Sequence, residues 1–165
     1  MVPLALAITR LNAWIFRLAA LVIFVIVGLM ALEVVARYAF SHPTEWAPEL
    51  STLLFGPYFL LGGPHLLHLG GHVAVDIVSD RASGPFARLL VRLGFVLAAA
   101  FAGVLLYFSL PLAINSISLN ETSYSSWNPV VWPAKMMLPL ACFLMVAQAV
   151  AELFLPRPPE KAPPP

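Results

Sequence analysis

The sequence predicts an all-α integral membrane protein with four transmembrane helices, and three observations carry that prediction. Hydrophobic residues make up 61% of the 165 residues and charged residues only 10%, where a soluble domain carries about 25% charged residues. Mean hydropathy is +0.89. Four apolar runs, each about one bilayer in length, alternate with segments rich in charge, proline or serine. The same composition excludes other classes. The net charge is +1 and the nine Lys and Arg form no basic stripe, so no nucleic-acid partner is expected. Cys142 is the only cysteine; it has no intramolecular disulfide partner and reads as a small buried hydrophobe.

The first span is expected at about 16–38. Arg17 and Arg37 bracket it at snorkelling positions. The apolar run is too long for a signal peptide and no small-x-small cleavage site follows, so an uncleaved transmembrane helix is expected. Glu33 and Arg37 stand at i and i+4, one helical face, where they can pair. Pro43 blocks continuation of the helix, and Thr44 is the expected N-cap of the next one, with Glu45 and Glu49 complementing its positive end.

The second span, about 46–69, starts at Trp46 and contains Pro57, Gly62, Gly63 and Pro64. Broken backbone at membrane depth needs protein partners, so this helix is expected to pack against others. His65, His68 and His72 follow at i, i+3 and i+7; a metal or haem site is one reading and interfacial hydrogen bonding the other. Gly70-Gly71 is expected to end the helix before His72. Val73, Ile77 and Val78, interleaved with Asp76, Asp80 and Arg81, suit a short interfacial helix between spans two and three.

The third span is expected at about 88–112. Gly94, Ala98 and Ala102 recur every four residues and predict a close helix-packing face. A polar connection from Pro111 to Pro133 follows, with Trp127 and Trp132 as headgroup anchors. The fourth span is expected at about 133–155. Residues 1–155 thus form one four-helix transmembrane domain, and the Pro-rich tail 156–165 is expected to be disordered.

Four spans place both termini on one side. Arg10, Arg17, Arg81, Arg88, Arg92, Arg157 and Lys161 lie on that side, and only Arg37 and Lys135 lie opposite. The positive-inside rule therefore predicts cytoplasmic N and C termini.

There is no Gly-rich phosphate loop and no Ser/His/Asp nucleophile arrangement, so neither ATP hydrolysis nor another enzymatic activity is predicted. No two broken helices stand in corresponding halves, the usual pointer to a transporter's own substrate site. The residues favour a helper that buries itself against a larger membrane protein.

From about Leu11 to Leu155 the chain resembles the small membrane subunit of tripartite ATP-independent periplasmic (TRAP) transporters, the DctQ-like family. The first span ends Glu33-Val-Val-Ala-Arg37-Tyr38-Ala-Phe40, and Trp46 with Glu49 follows. A Gly-rich second span then exits through His72-Val73-Ala74-Val75-Asp76, and Trp132-Pro133 opens the fourth. The His-Val-x-Val-Asp exit is the most specific piece. Pro48, Pro57 and Pro64 are more prolines than the family leads one to expect. The resemblance implies a fixed scaffold in the bacterial inner membrane. Its implied partners are membrane lipid, a large many-span subunit that holds the substrate and sodium sites, and a periplasmic substrate-binding protein that delivers an organic acid anion. It implies no cofactor, metal or substrate residue in this chain, and makes Glu33, Arg37, Trp46, Glu49, His72, Asp76 and Trp132 the candidate assembly residues. The histidine triplet motivates an alternative, a haem- or quinone-binding membrane anchor of a respiratory complex.

Overall fold

The computed structural model describes residues 2–70 and 85–155. Its helices are α1 (Val2–Ala39), α2 (Trp46–His68), α3 (Pro85–Ser118) and α4 (Trp132–Phe154). All four are long and apolar enough to cross a membrane. Among the described residues the only strand-like feature is an isolated antiparallel bridge between Thr122 and Val130. The expected interfacial helix, with His72 and Asp76, and the tail lie outside the described residues.

α4 is the hub. It packs against α1, α2 and α3, and α1 also packs on α2; among the described residues the backbone of α3 lies close to that of α4 alone. The composition of α4 explains this. Ala141, Ala149 and Ala151 are each at most 5% exposed, and small side chains let three neighbours approach one backbone. Leu67 of α2, Phe95 of α3 and Ala149 of α4 form the buried cluster, with Val91, Ala98, Ala99 and Met145 packed on it. The face of α1 turned inward carries Ala5, Asn12, Ala19 and Glu33, spaced at seven residues or a multiple of seven, which returns to one side of a helix. Outward, Phe24, Phe101 and Phe108 are 73%, 67% and 64% exposed. Apolar surface on that scale is covered by hydrocarbon or by another apolar surface. The chain is a multi-pass membrane protein.

Several boundaries differ from the sequence expectation. The expected spans 16–38 and 88–112 fall inside longer helices. Asn115, Ser116 and Ser118, expected in the connection after Pro111, form the last turns of α3. Ser118 Oγ turns back on the helix and donates to the Asn115 carbonyl at 2.8 Å. Asn120 then adopts φ +44°. The Glu121 N–H donates to the Ser116 carbonyl and the Asn120 N–H to the Ile117 carbonyl, both at 3.0 Å, a Schellman closure with asparagine at the left-handed position. α2 runs unbroken through Pro57 and Pro64 and ends at His68, where Gly70 takes φ +73°, as a helix-terminating glycine does.

Candidate functional site

Polar side chains collect in two layers at opposite ends of the bundle. At the end that carries the α1–α2 and α3–α4 connections, Glu33 is 3% exposed. Its Oε1 accepts from Arg37 Nε at 2.8 Å and also from Arg37 Nη2. Its Oε2 accepts the Thr44 N–H at 2.7 Å and the Thr44 hydroxyl. One carboxylate therefore ties the end of α1 to the start of α2. This corrects the expected role of Thr44: the N-cap position of α2 is Glu45, without a side-chain cap bond, because the threonine hydroxyl is committed to Glu33. Ser41, at φ +54°, turns the chain, and the His42 N–H donates to the Ala36 carbonyl at 3.0 Å.

The α3–α4 connection docks on this turn. Ser125 Oγ donates to Glu49 Oε2 at 2.6 Å, and a cleft between the two connections is lined by Arg37, Thr44, Glu45, Glu49, Ser125 and Trp127. Lys135 Nζ donates to both oxygens of Glu121 at 2.6 Å. That ammonium holds the Glu121 carboxyl below its ordinary range. Of the candidate assembly residues, Glu33, Arg37, Trp46, Glu49 and Trp132 are thus brought to one end. His72 and Asp76 lie outside the described residues. Ala98 and Ala102 lie on α3, Ala98 packed on the Leu67–Phe95–Ala149 cluster and Ala102 3% exposed; Gly94 is half-buried.

Of the second layer, sequence spacing singles out only His68, a member of the histidine triplet; Asn12, Gln148 and Glu152 are not among the candidate residues. Asn12 of α1, 1% exposed, donates Nδ2 to Gln148 Oε1 of α4 at 2.8 Å. Gln148, fully buried, donates Nε2 to Thr9 Oγ1 at 3.1 Å and to Glu152 Oε1 at 2.7 Å. His68 of α2 meets the same Glu152 oxygen through Nδ1 at 2.6 Å. A carboxylate only accepts, so Nδ1 carries the hydrogen. The orientations are then forced in series. Glu152 fixes the amide of Gln148, which fixes that of Asn12, and Asn12 Oδ1 is left buried without a partner. His65, one turn before His68, lies against Phe16 with ring centroids 4.9 Å apart. Among the described residues no group of three His, Cys, Asp or Glu is placed to hold a metal ion.

The separation of the layers is informative. Along α1 the chain rises about 32 Å from Asn12 to Glu33, at about 1.5 Å per residue. Along α4 it rises about 30 Å from Trp132 to Glu152. Both lengths match the roughly 30 Å hydrocarbon thickness of a bilayer. Between the two layers the helices present mainly apolar side chains, so a bilayer of that thickness fits with the polar layers at its boundaries.

Comparison with known proteins agrees with this architecture. The sequence profile of the family described as "Tripartite ATP-independent periplasmic transporters, DctQ component" matches residues 26–157. The C4-dicarboxylate TRAP transporter small permease protein DctQ of Rhodobacter capsulatus is 26% identical over 100 residues, which cover 61% of this chain and 44% of that relative. The match thus spans less than half of the relative's length. By the extent of the profile match, this chain belongs to the DctQ component family of tripartite ATP-independent periplasmic transporters.

Proposed function

We propose that this chain is the fixed scaffold subunit of a sodium-coupled TRAP transporter that takes up an organic acid anion across the bacterial inner membrane, with both termini in the cytoplasm. A large many-span membrane subunit holds the substrate and sodium sites, and a periplasmic binding protein delivers the substrate. Family membership supports this reading. The observation that carries it beyond the family is the fate of the polar groups. Glu33 and Arg37 are spent on each other and on Thr44. Asn12, Gln148, Glu152 and His68 are spent on tying α1, α2 and α4 together. A transport path needs polar groups free to exchange partners with a substrate or ion; these are used to fix helices.

In this role Glu33, Arg37, Trp46, Glu49, His72, Asp76 and Trp132 serve assembly. Asp76→Ala lowers the yield of the complex and leaves the substrate profile of the complex that remains unchanged. Uptake in cells tests the function. Deleting the coding sequence abolishes binding-protein-dependent uptake, and supplying the chain in trans restores it. Undiminished uptake in the deleted strain overturns the proposal.

A further inference from the structure

One face of α1 is turned away from the rest of the bundle. Arg10, Trp14, Arg17, Leu21, Phe24 and Gly28 follow at alternating intervals of four and three residues, which holds them in a single stripe. The buried residue Asn12 points the opposite way, about 200° from Arg10 at about 100° per residue. Trp14, Leu21 and Phe24 are 60%, 60% and 73% exposed, and both arginines are exposed. At Gly28 an added Cβ meets nothing within 4 Å, so the groove beside Phe24 is open.

The depth of this stripe gives it meaning. Arg10 stands at the level of the Asn12–Gln148 layer, where the hydrocarbon ends. Arg17 lies about 7.5 Å deeper than Asn12, and side chains on a helix lean toward its N-terminus, so its guanidinium reaches back to the same boundary. Among the described residues no hydrogen bond or ion pair neutralises either arginine, whereas Arg37 is bound to Glu33 and Lys135 to Glu121. Two guanidiniums without a counter-charge among the described residues, with a tryptophan between them, thus stand at headgroup depth, above an apolar strip that runs into the bilayer.

We propose that this stripe binds an anionic phospholipid. Arg10 and Arg17 hold its phosphate, Trp14 lies at the glycerol level, and Leu21, Phe24 and the gap at Gly28 take an acyl chain. Charge complementarity selects this occupant. The spacing also suits a helix seam with a neighbouring apolar helix, but such a helix would bury two arginines that have no partner among the described residues, at high cost, while a phosphate neutralises them through charge-assisted hydrogen bonds.

The test uses the full chain in nanodiscs. Trp46, Trp127 and Trp132 are changed to Phe, so that Trp14 alone fluoresces, and quenching by phosphatidylglycerol brominated on its acyl chains is compared with quenching by equally brominated phosphatidylcholine. A preference for the anionic lipid is expected, on the order of fivefold per arginine. It is lost in Arg10→Gln/Arg17→Gln and kept in Arg92→Gln, which removes the same kind of charge from α3. Native mass spectrometry of the chain with all its tryptophans gives an independent reading: retained phosphatidylglycerol that the double arginine variant releases. Equal quenching by both lipids, or equal loss of preference in Arg92→Gln, overturns the site. So does disappearance of quenching at Trp14 when a large partner subunit is bound, because a protein surface would then cover the stripe.

Discussion

Replacing Gln148 with leucine tests whether the buried amide layer joins the helices. The substitution keeps the side-chain volume near its original value and removes three hydrogen bonds, those to Asn12, Thr9 and Glu152. Two of these cross between α1 and α4. Interhelical hydrogen bonds in membrane proteins are worth about 0.6 kcal/mol each on average, which sets a floor of about 1 kcal/mol. The floor is exceeded here because of Asn12. That residue is 1% exposed and its Oδ1 already lacks a partner, so losing Gln148 strands the whole amide. A buried group left unsatisfied costs about 1–3 kcal/mol, and we expect a total near 2 kcal/mol. Removing both amides should be cheaper than the separate losses suggest. Asn12→Leu/Gln148→Leu is expected to cost less than the sum of the single variants by about 1 kcal/mol, since paired polar groups replaced together leave nothing stranded. Equilibrium unfolding in mixed micelles, with the anionic detergent fraction as the variable, measures all four corners of the cycle. Single-variant losses under about 0.5 kcal/mol, or strictly additive losses, refute the reasoning.

Other consequences are open to direct measurement. Glu121 is held ionised by Lys135, so its folded pKa lies below its unfolded value; the resulting stabilisation is present above the ordinary carboxylate range and is lost as pH falls through the folded value. Thermal melts of the wild type and Lys135→Met should therefore differ at neutral pH and converge in acid, and a constant difference across that range contradicts the pairing. Gly70→Ala, at φ +73°, should destabilise by about 1 kcal/mol in the same micelle assay, and an unchanged midpoint would remove the helix-stop role. At Gly63 an added Cβ meets only the flexible tip of Met145, at 3.0 Å. Gly63→Ala should therefore be tolerated while Gly63→Leu disrupts the α2–α4 seam, and equal yields of folded protein from both would show that the seam is looser than its geometry. For topology, cysteines placed at Ser83 and Ser123 in a Cys142→Ala background should react with impermeant reagents from opposite sides, with Ser83 facing the cytoplasm. Labelling of position 123 from the cytoplasm reverses the orientation.

Features carried by local spacing are legible in the sequence. Composition and run length are enough for four membrane helices, because the bilayer sets both. The Glu33–Arg37 ion pair follows from a four-residue interval on one helix, and Gly70 marks the end of α2 through its backbone freedom. The layer of Asn12, Gln148, Glu152 and His68 is not legible in the same way. Asn12 and Gln148 are 136 residues apart and stand on different helices, so no periodicity joins them. The signal that could have found them is the presence of one amide in each of two apolar stretches, since a polar group at that depth demands a partner. The central position of α4 is hidden for a related reason. Its alanines become informative only when it is known that three helices meet there. Thr44 departs from the sequence expectation because a tertiary bond to Glu33 takes its hydroxyl, and the final turns of α3 depart from it because the helix runs past Pro111 to a local Schellman closure at Asn120.

The central claim is that this subunit is necessary for uptake and does not transport by itself. Its most direct test is reconstitution into proteoliposomes under an inward sodium gradient, with the binding protein and a radiolabelled organic acid anion outside. The chain alone should give no uptake above empty liposomes, and adding the large membrane subunit should produce sodium-dependent uptake. Robust uptake by the four-helix chain alone would contradict the scaffold account.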